Sequence, residues 1–107
     1  MKQVNQGLRN ISDRLELIHQ NLSEDFERAA ELIANCLNQD QVVQWANHGL
    51  VIAENTQQSS DAVIEYFTVS PSVVELMPFS YFMKWAECGV ELSNTTPQLA
   101  ASYFSSS

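Results

Sequence analysis

At 107 residues and 12.0 kDa, with 45% hydrophobic residues, three glycines and three prolines, the chain is one domain's worth of material with too few Gly/Pro turns for a β-rich fold. Its formal net charge is −8: Lys2, Arg9, Arg14 and Arg28 lie in the first 28 positions and only Lys84 follows them. A phosphate backbone is held by clustered cations that displace counterions, so nucleic acid is excluded as a partner.

The first predicted element places Leu8, Ile11, Leu15, Ile18 and Leu22 at alternating steps of three and four, one stripe of a single helix. Ser23 then reads as an N-cap followed by Glu24, Asp25 and Glu27, acids that complement the positive end of a helix dipole. Phe26, Ala29, Ala30, Ile33 and Leu37 supply the buried face of that second helix. Asp40 is read as the cap of a third, which runs from Gln41 to about Asn55 and is broken by the polar string Asn55-Thr56-Gln57-Gln58-Ser59-Ser60.

A short helix from about Asp61 to Thr68 follows. Ser70-Pro71 looks like a cap plus a proline at the first helical position, opening another short helix through Met77 that Pro78 stops. The next helix spans about Phe79 to Leu92, and Thr96-Pro97 opens the last, Gln98 to Phe104. The expected fold class is all-α: stacked antiparallel helix pairs forming solenoid-like repeats of about 40 residues.

The repeat is carried by Trp45-Ala46-Asn47-His48-Gly49 and, forty positions on, Trp85-Ala86-Glu87-Cys88-Gly89. Downstream, with a loop three residues shorter, Tyr66-Phe67 meets Tyr103-Phe104 and Ser70 meets Ser107. The implied division is a divergent helical pair over 1–39, a first repeat over 40–77 and a second over 78–107. The first copy continues into Pro71 where the second ends, so the second is read as truncated. Trp and Gly at i and i+4 share a helix face. A mid-helix glycine costs roughly 1 kcal/mol relative to alanine, so its recurrence predicts close approach of a neighbouring helix backbone, with the indole filling the space beside it.

These residues, Trp45, Gly49, Tyr66, Phe67, Ser70 and Pro71, resemble the helical N-terminal region of bacterial accessory proteins that carry a von Willebrand factor A domain and work with MoxR-type AAA+ ATPases in nitric-oxide-reductase maturation and Rubisco activation. The resemblance covers residues 41–107. It implies an accessory module whose partner is an AAA+ ATPase or its client enzyme. The sequence holds neither the family's Asp-x-Ser-x-Ser metal motif nor a Walker motif, so the resemblance assigns metal- or ATP-dependent steps to other domains or chains.

Local chemistry is sparse. His19, Cys36, His48 and Cys88 are the soft metal ligands, and none lies within ten residues of another, unlike the close pairs of structural zinc sites. Glu87 and Glu91 form a like-charge pair at i, i+4 that reads as a solvated stripe rather than an acid/base pair. No catalytic residue, cofactor or metal is assigned. Without a leader-like apolar core after Met1-Lys2 or an apolar run long enough for a bilayer, the chain reads as cytoplasmic, with reduced cysteines and no membrane partner.

The functional clue is aromatic: Met77, Phe79, Tyr81 and Phe82, with Met83 and Trp85, are more bulky residues than one helix face buries; either the set packs on Tyr66 and Phe67 inside the stack, or it is the docking face for a next repeat or a partner. The function expected from the sequence is a non-enzymatic protein-interaction module, with homo-oligomers through an exposed repeat edge as a further expectation. The alternative is a small helical ligand- or metal-binding domain using His48, Cys88 and nearby acids.

Overall fold

The computed structural model describes residues 6–57 and 59–105; Gln58 of the polar string and Ser107, the expected counterpart of Ser70, lie outside them. The described residues form six helices: α1 (Gln6–Ile18), α2 (Gln20–Ile33), α3 (Gln39–Asn55), α4 (Asp61–Leu76), α5 (Phe79–Thr95) and α6 (Pro97–Ser105). The fold is all-α, and no helix among the described residues is long and apolar enough to cross a membrane.

The helices lie in two rows. α1 packs on α3 and α3 on α5; α2 packs on α4 and α4 on α6; each odd helix also packs on the even helix after it. The Cα extents of 36 × 31 × 16 Å describe a slab whose thickness fits two helix cylinders set 8–10 Å apart. The core runs between the rows, from Leu8, Leu15 and Phe26 at one end through Trp45, Tyr66 and Phe67 to Phe82, Trp85 and Phe104 at the other.

Four predicted features are corrected. The stripe from Leu8 to Leu22 is two helices: the first ends at Ile18, and His19 is extended (φ −161°, ψ 126°), its Nδ1 accepting from the Asn21 amide. Leu22 fits the phase of both helices, which hides the break. Ser23 is therefore not a cap; it is buried inside α2 and its hydroxyl donates to the Gln20 carbonyl. Asn38, not Asp40, caps α3, with Asn38 Oδ1 accepting from the Gln41 amide at 2.9 Å and the Gln41 side chain accepting from the Asn38 amide at 3.0 Å, a capping box.

Pro71 opens no helix, because α4 runs through it to Leu76. The ring removes the N–H that would reach the Phe67 carbonyl. The helix continues because Val73 and Val74 beyond the proline are buried in the core.

Candidate functional site

The repeated residues converge in space and make the same contacts twice. The Tyr66 hydroxyl donates to the Trp45 carbonyl at 2.8 Å, and the Tyr103 hydroxyl to the Trp85 carbonyl at 3.1 Å. Each bond ties the second helix of a pair to the first. Trp45 Nε1 donates to Ser70 Oγ at 2.9 Å, and Ser70 Oγ donates in turn to the Tyr66 carbonyl. Buried indole and hydroxyl groups are thus satisfied internally, as burial demands, and no buried side-chain N or O among the described residues lacks a partner.

The glycines have a different reason from the one expected. The atoms nearest to a Cβ there belong to aromatic rings of the paired helix, a phenylalanine first in each case, and not to a backbone or an indole. A Cβ on Gly49 would meet Phe67 Cε1 at 2.6 Å, and one on Gly89 would meet Phe104 Cζ at 1.9 Å. Both rings are fully enclosed and have nowhere to retreat.

The same rings also join one pair to the next. Tyr66 stacks on Trp85 (centroids 5.6 Å, interplanar 20°) and meets Phe104 edge-on at 5.1 Å. One pair earlier, Phe26 stacks on Trp45 (5.6 Å, 13°) and tilts against Phe67 at 5.6 Å. Phe26 therefore does in the first pair what Tyr66 does in the second, forty positions later. Edge and offset geometries of this kind add about 0.5–1.5 kcal/mol per pair beyond area burial.

The α1/α2 pair holds the matching place although none of the four motif residues recurs in it: Ile11, Leu15, Phe26 and Glu27 stand where Trp45, Gly49, Tyr66 and Phe67 do in the next pair. Matching buried positions puts Leu8, Ile11, Ser12 and Leu15 where α3 has Val42, Trp45, Ala46 and Gly49, and puts Glu27 where α4 has Phe67. Leu15 takes the space that glycine leaves for a ring. Glu27 turns outward, and its carboxylate accepts from Ser12 Oγ at 3.0 Å.

The aromatic cluster divides between the two expected roles, most of it packing inward. Phe82 is wholly buried, stacked on Trp85 at 5.7 Å, and Met83 is buried too. Met77 and Phe79 are half-buried against the core. Tyr81 alone of the four is open to solvent, 59% exposed, with Lys84 Nζ 6.0 Å from its ring centroid.

His48 and Cys88 occupy matching positions, His48 half-buried with Nδ1 2.7 Å from the Gln44 carbonyl, Cys88 exposed. No three His, Cys, Asp or Glu side chains gather among the described residues in a way that would hold a metal.

Burial pushes the Tyr66 hydroxyl well above the ordinary tyrosine range. The Tyr103 hydroxyl is pushed up to about 12, first by burial and then by the adjacent Cys88 thiol. Both phenols stay protonated donors at neutral pH, as the bonds to the tryptophan carbonyls require.

Comparison of the chain with family models, with curated proteins and with solved structures finds no match.

Proposed function

We propose that the chain is a non-enzymatic helical-repeat module, a solenoid-like stack of three helix pairs that holds a protein partner. One observation carries the reading: the contacts of Phe26 with Trp45 and Phe67 recur as those of Tyr66 with Trp85 and Phe104. Residues repeated in this way join neighbouring units, and stacked units present extended surfaces of exposed helix to partners. The motif thereby has a structural use, and recognition falls to the side chains outside it.

The sequence resemblance makes a MoxR-type AAA+ ATPase, or its client enzyme, the first partner to test. The reading places the protein in the cytoplasm, in keeping with its two exposed, unbridged cysteines. Titration of the whole chain into a purified MoxR-type ATPase in a calorimeter should give saturable binding that Tyr81→Glu weakens. Absence of heat with both the ATPase and its client enzyme would remove this partner class.

A further inference from the structure

The two ends of the stack differ position by position. α3 and α4 carry Val43, Leu50, Ile64, Phe67 and Pro71, all buried or half-buried, with Phe67 against Phe26 of the first pair; the matching positions of the first pair are Arg9, Glu16, Glu24, Glu27 and Glu31, all exposed. That end is a polar cap of the kind that closes a repeat array. The opposite end has no such replacement. Ile52, Ala62 and Tyr66 of the middle pair are buried, Tyr66 against Trp85 and Phe104, but their counterparts Leu92, Leu99 and Tyr103 are half-buried, 53% exposed and half-buried. Tyr81, at the place of half-buried Gln41, completes this apolar face.

We propose that the outer face of α5 and α6 receives one more helix pair of this repeat type, which lays an indole on the Tyr103 ring and sets a phenylalanine edge beside it. The idea rests on the helical-repeat reading above. Continuity with the internal interfaces specifies the occupant, since Trp85 and Phe104 make these contacts to Tyr66 at 5.6 and 5.1 Å, and Trp45 and Phe67 make them to Phe26. A second copy stacked head to tail would press its glutamate cap against apolar side chains, and taking several carboxylates out of water against such a face is strongly disfavoured even though Glu27 keeps its bond from Ser12. A second copy set face to face offers no indole, because Trp85 is buried against Tyr66 and Phe82.

The test extends the protein in its own register. Ser107 aligns with Ser70, so a copy of residues 71–107, with its cysteine replaced by serine, is fused after Ser107. The expected result is a Tm raised by at least about 4 °C, the shift of roughly 1 kcal/mol in a domain of this size. Alkylation of Cys88 should slow several-fold while Cys36, in the turn after α2, reacts as before. Leu99→Glu should leave the Tm of the 107-residue chain nearly unchanged and cancel both gains in the fusion. An unaltered Tm and Cys88 rate in the fusion overturns the proposal. So does a 107-residue chain that is already dimeric by light scattering with Cys88 shielded, because the face would then be filled by its own copy. Failure to bind an ATPase affects none of these readouts, so the two readings fail separately.

Discussion

The first and last helix pairs share one scaffold and finish it in opposite ways. In α1/α2 the large side chain sits on the first helix, Leu15, and the second presents Glu27; in α5/α6 the first helix gives way with Gly89 and the second fills the gap with Phe104. The exchange keeps the space between helices filled while turning the outer side from apolar to charged. A helix pair can thus present a charged outer side through a few side-chain exchanges.

The largest effect should come from removing a ring that joins two pairs. Trp45→Ala deletes the stack on Phe26 and Tyr66 and the bond to Ser70, and should cost about 3–5 kcal/mol in urea unfolding. Trp85→Ala, beside the open face, should cost less, and equal losses would contradict the asymmetry of the ends. Gly89→Ala gains roughly 1 kcal/mol of helix propensity yet drives a methyl into Phe104, where overpacking costs about 1–3 kcal/mol; a net loss of stability is expected.

The exchanged pair can be tested directly. Glu27→Phe alone sets a ring against Leu15, whereas Leu15→Gly with Glu27→Phe restores the arrangement of the other pairs. The double variant should be more stable than the two single losses summed, with a coupling of about 0.5–3 kcal/mol. Additive losses would separate these positions.

Alkaline pH probes the tyrosines. Their pKa values are raised in the folded state, so their contribution is complete below the ordinary tyrosine range near 10 and is lost as pH climbs toward about 12 for Tyr103. Unfolding midpoints should fall across that window, and less so in Tyr103→Phe.

The smallest effect belongs to the bridge of Arg14 to Glu54 at 2.6 Å, whose side chains are 59% and 38% exposed. Arg14→Ala should change stability by no more than about 0.5 kcal/mol, measured at low and high salt.

Much of the helical plan was legible in the sequence. Stripes of three-and-four spacing and the prolines before α5 and at the start of α6 mark most helices, and the recurrence of Trp, Gly, Tyr and Phe marks the later two pairs. The turn at His19 was not, because Leu22 fits either helix and the cap is a histidine ring nitrogen, a rare device. Pro71 misled because its local preference for a helix start was outweighed by the burial of Val73 and Val74.

The candidate face was half legible. Tyr81 was found as bulky surplus, but Phe82 could not be told from it without knowing which side of α5 turns inward. Leu92, Leu99 and Tyr103 stand out only when each is set beside its buried counterpart, a comparison that needs the packing.

The placement of the joining rings also gives the molecule a direction in time. Phe26 is enclosed only when α3 and α4 arrive, and Tyr66 only when α5 and α6 do. On a ribosome, which releases the N-terminal pair first, each pair would wait with one aromatic side uncovered until the next emerged. The sealed glutamate end would be the one part of the slab finished from the start.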